Sequence, residues 1–302
     1  KTRRHKSEDC RIRTGEVQAM RKLRLNNGTE MPQMGFGVFQ ITDQKQCEES
    51  VLTALKTGCR MIDTAACYGN EKAVGNAVLK SGIAREDVFL VSKVWIQDAG
   101  YDRTIRSFEK TLEYLQTDYL DLYLIHMPYG DYYGSWRAME KLYRDGRIKA
   151  IGVCNFEADR LVDLILSHEV MPAVNQIEMH PFCQQRELRK VMEMYDIRTM
   201  AWAPFAEGRN GIFQNDTLAA VGSVYHKTPA QVILRWLIQE GIAVIPKSVH
   251  RERIEENFMV DDFQLADAEM EKIRDMDTRD TMILAIRSLD EVYRLHEIRF
   301  EQ

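Results

Sequence analysis

Four side chains in the sequence could act together on a carbonyl group: Asp63, Tyr68, Lys93 and His126. A lysine ammonium beside a phenol favours the phenolate and lowers the pKa of the phenol, and a carboxylate keeps the lysine charged. That shift matters because an unperturbed tyrosine, with a pKa of about 10, gives up its proton reluctantly at neutral pH. A nearby histidine can hydrogen-bond a carbonyl oxygen. Together these groups suit the protonation of an oxyanion as hydride reaches a carbonyl carbon.

Hydride transfer needs a nicotinamide, and other residues could hold one. Asn155 and Gln176 offer amides for the carboxamide group, and Trp202 offers a flat face for ring stacking. Cations with hydroxyl, carboxylate and amide partners surround a helix start near the C-terminus: Lys247, Ser248, Arg253, Glu256 and Asn257. This group suits a 2′-phosphate and an adenine, which favours NADP over NAD. A solvated basic helix start is the alternative interpretation.

Eight short apolar runs alternate with helical patterns and predict the elements that position these residues. The predicted strands are 34–37, 61–63, 88–93, 119–125, 150–153, 173–178, 199–203 and 243–245. Eight such units in roughly 250 residues, with no linker between them, predict a single (β/α)8 TIM barrel of the α/β class. The alternative is an open doubly wound sheet, but no G-x-G-x-x-G motif follows the first predicted strand.

The predicted strands end in polar or aromatic residues. Reading only those ends gives Asp63, Lys93, His126, Cys154, Asn155, Gln176, Trp202 and Lys247. Each has an ordinary explanation by itself, such as a solvated strand end or a rim amide. Functional residues of a barrel gather at the C-terminal ends of its strands, so the series together predicts an active site on that face.

Local signals predict further elements. Asn26, Asn27 and Gly28 favour a hairpin turn that closes the bottom of the barrel. A helix is predicted over 104–115, and another over 229–240, introduced by a capping box from Thr228. Asn70 is expected to be the N-cap of a helix that runs to Lys80.

Composition excludes several protein classes. The 302 residues carry a formal net charge of -5 and are 45% hydrophobic, which disfavours a nucleic-acid or membrane binder. Six cysteines without C-x-x-C spacing argue against a zinc site and for a reducing cytoplasm. We expect a cytoplasmic monomer without a metal. Residues 1–19 are basic and polar, and we interpret them as a disordered or non-native extension rather than a transit peptide, because Glu8, Asp9 and Glu16 are acidic.

From about Met20 to Gln302 the sequence resembles the aldo-keto reductase family. The resemblance rests on the motifs G-C-R-M-I-D-T-A-A-C-Y-G-N-E, V-S-K-V-W, D-L-Y-L-I-H-M-P, I-G-V-C-N-F, N-Q-I-E-M-H-P and I-P-K-S-V-H-R-E-R-I-E-E-N-F. It is closest in kind to small bacterial 2,5-diketo-D-gluconate and aldehyde reductases. The resemblance implies NADPH-dependent reduction of small aldehydes, ketones or keto sugars to alcohols.

The resemblance also implies a role for each candidate residue. The catalytic tetrad would be Asp63, Tyr68, Lys93 and His126, with Tyr68 as the general acid. The nicotinamide would be held by Cys154, Asn155, Gln176 and Trp202, and the adenosine 2′-phosphate end by Lys247, Ser248, Arg253, Glu256 and Asn257. Phe39, Trp95 and either Met127 or Tyr129 would line the substrate pocket, and the tail 278–302 would fold over it.

Some positions depart from the family pattern. Cys154 replaces a common serine, and a thiol is a weaker hydrogen-bond donor, so we expect a looser contact with the nicotinamide. Trp202 replaces tyrosine, Ala203 replaces serine and Met61 replaces a histidine outside the tetrad. Two other functions stay open: an NADP-binding regulatory or sensor subunit with little turnover, and a phosphate-binding barrel isomerase or lyase.

Overall fold

Eight parallel strands lie side by side in sequence order in a computed structural model, which describes residues 21–301. An antiparallel hairpin of β1 (Lys22–Arg24) and β2 (Glu30–Pro32) precedes them. The parallel strands are β3 (Phe36–Gly37), β4 (Met61–Asp63), β5 (Phe89–Val94), β6 (Leu122–Ile125), β7 (Ile151–Cys154), β8 (Val174–Glu178), β9 (Arg198–Trp202) and β10 (Ala243–Val244). All eight predicted strands are therefore present, with somewhat different bounds.

Contacts between the first and last parallel strands close the sheet into a barrel. Met34 pairs with Val244 in parallel register, and the Gly35 N–H donates to the Val244 carbonyl at 2.9 Å. The Gly37 N–H donates to the carbonyl of Pro246 at 3.1 Å. The (β/α)8 prediction is confirmed, and the open-sheet alternative is wrong.

Helices surround the barrel and extend over its mouth. They are α1 (Gln44–Lys56), α2 (Glu71–Ser81), α3 (Tyr101–Leu115), α4 (Tyr132–Arg144), α5 (Ala158–Ser167), α6 (Arg186–Met194), α7 (Asp216–Tyr225), α8 (Pro229–Gln239), α9 (Arg251–Asn257), α10 (Asp267–Arg274) and α11 (Leu289–Glu297). The predicted capping box of α8 is confirmed: the Thr228 hydroxyl accepts the Gln231 N–H at 3.3 Å, and the Gln231 side chain accepts the Thr228 N–H at 3.1 Å.

The two-residue period of the strands directs the candidate residues into the barrel. Met61, Val91, Leu124, Val174, Met200 and Ile245 belong to the apolar cluster that fills the barrel interior. Side chains two positions apart point to the same face of a strand. The next inward positions toward the C-terminal ends are therefore Asp63, Lys93, His126, Gln176, Trp202 and Lys247. The strand register thus brings these side chains to the upper end of the barrel.

The N-terminal hairpin fills the opposite end of the barrel, as predicted. Leu25 and Met31 are buried in the interior cluster. The Asn26 side chain donates to the Pro172 carbonyl at 2.9 Å, just ahead of β8. Gly28 has a φ of +88° at the turn, a conformation that glycine adopts without a Cβ clash.

Asn70 differs from the expectation in one respect. It is the residue before α2, but its side chain makes no capping hydrogen bond to the helix. The amide instead donates to the carbonyls of Val38 at 2.9 Å and Ile41 at 3.1 Å, and its oxygen accepts the Thr64 hydroxyl at 2.8 Å. Through these hydrogen bonds Asn70 links the loop that follows β3 to the loop that follows β4.

The prediction for residues 1–19 lies outside the described residues. Among residues 21–301, no helix combines the length and apolar character needed to cross a bilayer.

Candidate active site

A buried ion pair lies at the centre of the barrel mouth. The Lys93 ammonium is 2.7 Å from Asp63 Oδ1 and also donates to the Thr64 carbonyl at 2.7 Å. Gln176 Nε2 donates to the other oxygen of Asp63 at 2.8 Å. Lys93 is 0% exposed and Asp63 2% exposed, so solvent does not separate the two charges. The carboxylate therefore fixes the position of the ammonium, as the sequence predicts.

Tyr68 lies beside this pair, in a short 3-10 turn above β4 (Ala66–Tyr68). The Lys93 ammonium is 5.0 Å from the centroid of its ring. The ring packs against Phe39, with centroids 4.9 Å apart, and meets His126 edge to face at 5.5 Å. The fold thus brings together the four residues that the sequence proposes as a tetrad.

The pKa of the Tyr68 phenol is raised well above its ordinary value, by burial first and by the Asp63 carboxylate second. The expectation that Lys93 lowers this pKa is therefore wrong for this structure. The reason is that the Lys93 charge is already matched by Asp63 at 2.7 Å, while the phenol loses hydration in an aromatic surrounding. Tyr68 is consequently held as a protonated phenol.

His126 is held as a neutral ring. Burial, and then the charge of Lys93, keep its pKa well below its ordinary value. The ring meets Trp95 edge to face with centroids 4.9 Å apart, and Cys67 Sγ lies 3.4 Å from its Nδ1. A neutral imidazole has one donor and one acceptor nitrogen. A thiol that donates to Nδ1 leaves the N–H on Nε2.

A cavity of about 580 Å³ opens at this end of the barrel. The candidate residues that line it are Phe39, Asp63, Tyr68, Trp95, His126, Met127, Asn155, Gln176, Trp202, Lys247 and Arg253. The other candidates, Lys93, Cys154, Ser248, Glu256 and Asn257, do not line the cavity. Cavity-lining residues that the sequence analysis does not identify include Cys67, Phe205, Glu207 and Phe213. Of these four, only Cys67 could have been identified from the sequence, because it directly precedes the candidate catalytic residue Tyr68.

One side of the cavity presents an oriented indole. Trp202 Nε1 donates to Asn155 Oδ1 at 2.9 Å, and Asn155 Nδ2 donates to the His126 carbonyl at 3.2 Å. Gln176 differs from the expectation, because its amide nitrogen is engaged by Asp63. Cys154 is buried, with Sγ 4.0 Å from Gln176 Oε1, a long contact for a thiol.

The far side of the cavity carries two cations. Lys247 and Arg253 are exposed, and neither forms an ion pair with any of residues 21–301. Glu256 instead accepts the Thr228 hydroxyl at the start of α8. Ser248 Oγ accepts the His250 N–H at 3.1 Å, and Asn257 is buried in α9. The two uncompensated cations are thus the part of this group that faces the cavity.

The C-terminal tail covers the side of the cavity that carries Trp95 and Met127, as expected. Leu284, Leu295 and Ile298 line the cavity and pack in one apolar cluster with Trp95 and Met127. Of the two alternatives for the pocket wall, Met127 lines the cavity.

Tyr129 contacts the tail rather than the cavity. Its hydroxyl donates to the Ile286 carbonyl at 2.5 Å.

Within residues 21–301 no group of three or more His, Cys, Asp or Glu side chains is arranged to hold a metal ion.

The chain matches the Aldo/keto reductase family over residues 33–278. It is 48% identical over 252 residues to a glyoxal reductase of Bacillus subtilis, covering 83% of this chain and 91% of that protein. The crystal structure of an aldo/keto reductase from Brucella melitensis superposes with a TM-score of 0.82 at 44% identity, over 85% of this chain and 100% of that one.

A Bombyx mori aldo-keto reductase in complex with NADP superposes with a TM-score of 0.84 at 29% identity, covering 91% of this chain and 97% of that one. The family match spans most of the chain, and the barrel agrees with the solved structures of the family. The chain belongs to the aldo/keto reductase family.

Proposed function

We propose that this protein reduces the carbonyl group of small aldehydes, ketones or keto sugars to an alcohol, with hydride from NADPH and a proton from Tyr68. The observation that carries the proposal is the arrangement of the cavity wall. Tyr68 and His126 lie on one side above the Asp63–Lys93 pair, and the Trp202 indole and two uncompensated cations lie on the others.

The residues present fit NADPH. Trp202 offers an indole face, fixed by its hydrogen bond to Asn155, against which a nicotinamide ring can stack. Lys247 and Arg253 offer two charges for phosphate, and the guanidinium suits bidentate contact with a 2′-phosphate. The Bombyx mori relative is a complex with NADP, which supports the same choice here. NADPH, when bound, supplies the hydride for the carbonyl carbon.

The protein residues supply the proton and steady the oxygen. Tyr68 has a raised pKa and is protonated at neutral pH, as an ordinary tyrosine also is, and an alkoxide is a strong enough base to take its proton. The Lys93 ammonium lies 5.0 Å from the ring centroid, but its charge is already matched by Asp63 at 2.7 Å, so it does not lower the pKa of the phenol. His126 is neutral and can donate an N–H to the carbonyl oxygen, which orients it toward Tyr68.

The substrate side favours small carbonyl compounds with an apolar portion. Trp95, Met127, Leu284 and Leu295 give it an aromatic and aliphatic wall. The whole cavity, at about 580 Å³, lies in the range of small-molecule sites. The relative named a glyoxal reductase, at 48% identity, makes dicarbonyls the first compounds to test.

The test is NADPH oxidation followed by absorbance with a panel of small aldehydes, dicarbonyls and keto sugars, beside a direct measurement of NADPH binding. Consumption of NADPH that depends on the carbonyl compound supports the proposal. Tight NADPH binding without turnover of any compound would instead indicate a regulatory or sensor subunit. A protein that binds no nicotinamide would favour the isomerase or lyase alternative.

A further inference from the structure

Glu178 ends β8 and binds a distant part of the chain. Its carboxylate accepts the N–H groups of Met282 at 2.6 Å, Ile283 at 3.2 Å and Leu284 at 3.1 Å. These donors come from the C-terminal tail, more than a hundred residues later in the sequence. Glu178 is 2% exposed, and it belongs to the N-Q-I-E-M-H-P motif, in which the proposed reaction uses only Gln176.

The charge of Glu178 is compensated mainly by the tail. A buried carboxylate is costly unless it is paired or hydrogen-bonded. Within residues 21–301 no Lys or Arg forms an ion pair with Glu178. The one basic side chain there that contacts its carboxylate is His180, whose Nε2 lies 3.1 Å from Oε1. Consecutive backbone N–H groups that converge on one point form a concave anion site. The backbone N–H groups of the tail therefore form an anion-binding site that holds the Glu178 carboxylate.

This attachment lies directly beside the part of the tail that lines the cavity. Leu284 donates its N–H to Glu178 and packs its side chain with Trp95 and Met127. Glu178 itself does not line the cavity. It therefore reaches the substrate side only through the segment that it holds.

Side chains of the barrel hold the tail at its other end in the same way, by its backbone. Trp95 Nε1 donates to the Ile298 carbonyl at 3.3 Å, and Gln97 forms two hydrogen bonds with the backbone of Phe300, at 3.1 and 3.2 Å. These bonds fix the path of the tail without using its side chains. The tail side chains are thus left to shape the cavity.

We infer that Glu178 is a positioning residue that fixes the C-terminal tail over the substrate side and so sets the affinity for the carbonyl compound. The effect on the substrate rests on the proposed reductase function, whereas the anchoring of the tail does not. The geometry that carries the inference is the convergence of three consecutive tail N–H groups on one buried carboxylate.

The test compares Glu178→Gln with Glu157→Gln in the full-length protein. Glutamine keeps the size of Glu178 and one acceptor oxygen, but it removes the charge and replaces the other oxygen with an NH2 group that cannot accept the backbone N–H groups. Glu157 also binds the tail, through Arg287 at 3.0 Å, but that ion pair is exposed and exposed pairs contribute little. It is therefore a matched control. The measurements are hydrogen exchange of the 282–284 amides, and KM for methylglyoxal, for p-nitrobenzaldehyde and for NADPH.

We expect Glu178→Gln to speed exchange of the 282–284 amides by about tenfold or more, the factor that follows from losing a hydrogen bond to a charged group. KM for p-nitrobenzaldehyde should rise by about as much, while KM for NADPH and exchange in β4 to β7 stay as in the wild type. Glu157→Gln should match the wild type in all of these measurements.

Two results would overturn the inference. One is unchanged exchange at 282–284 in Glu178→Gln. The other is exchange that rises throughout the barrel, with KM for NADPH rising as much as KM for the aldehyde, which would make Glu178 a general stabilising residue. Hydrogen exchange needs no turnover, so the anchoring result stands by itself even if no carbonyl compound is reduced.

Discussion

The Lys93 ammonium and the Asp63 carboxylate lie 2.7 Å apart in the barrel mouth, and neither is open to solvent. Breaking such a pair by removing one partner leaves a buried charge with nothing to balance it. The pair therefore affects the free energy of unfolding. Because Asp63 matches the Lys93 charge, the pair also limits the effect of that charge on the pKa of the Tyr68 phenol beside it.

Replacing Lys93 with methionine should lower the free energy of unfolding by about 3–5 kcal/mol, because the Asp63 carboxylate is then buried without its cation. Urea unfolding followed by circular dichroism measures this. The double variant Lys93→Met with Asp63→Asn should recover part of the loss, since it removes both charges. A double variant that is less stable by the sum of the two single losses would contradict the account.

The contact between Cys67 and His126 predicts a difference between two substitutions at one position. Cys67→Ser keeps a donor near His126 Nδ1, whereas Cys67→Val removes it. We expect kcat/KM for reduction to fall by about tenfold in Cys67→Val, the effect of one lost hydrogen bond in a buried site, and to stay near the wild-type value in Cys67→Ser. Equal values for the two variants would show that the thiol does not orient the ring.

The lowered pKa of His126 predicts how stability changes with pH. Below the ordinary histidine pKa of 6.5 the unfolded chain binds a proton at this residue that the folded protein does not bind. The stabilisation is complete above that pH and is lost as the pH falls below it. We expect the urea midpoint to fall more steeply with decreasing pH below 6.5 in the wild type than in His126→Gln. Parallel pH curves for the two proteins would refute this assignment.

The two cations on the far side of the cavity, Lys247 and Arg253, predict a preference for NADPH over NADH. Arg253→Gln should raise the dissociation constant for NADPH by about tenfold and leave that for NADH within about twofold, because only NADPH carries the 2′-phosphate. Arg251→Gln is the control, since Arg251 is paired with Glu255 at 2.7 Å and does not line the cavity. Isothermal titration calorimetry gives both constants. An equal loss of NADPH and NADH affinity would place Arg253 away from the 2′-phosphate.

Features that depend on a local period of the sequence are predicted correctly. Asp63, Lys93 and His126 each follow an inward apolar residue by two positions, so the strand pattern places them at the mouth of the barrel. The hairpin turn at Gly28 and the capping box at Thr228 are equally local, and both are confirmed.

The remaining features depend on contacts that sequence spacing does not reveal. The raised pKa of Tyr68 follows from how deeply the ring is packed, and the role of Asn70 follows from partners in another loop. The partners of Glu178 are tail N–H groups that any residue except proline provides. The contact therefore could not be predicted from the side chains of the tail.

The proposed reduction depends on Tyr68 as the donor of the proton to the reduced carbonyl oxygen. The test is steady-state reduction of methylglyoxal by wild type and by Tyr68→Phe, with NADPH affinity measured for both. We expect kcat to fall by at least about a hundredfold in Tyr68→Phe while the dissociation constant for NADPH stays within about twofold. A variant that keeps the wild-type kcat would contradict Tyr68 as the acid.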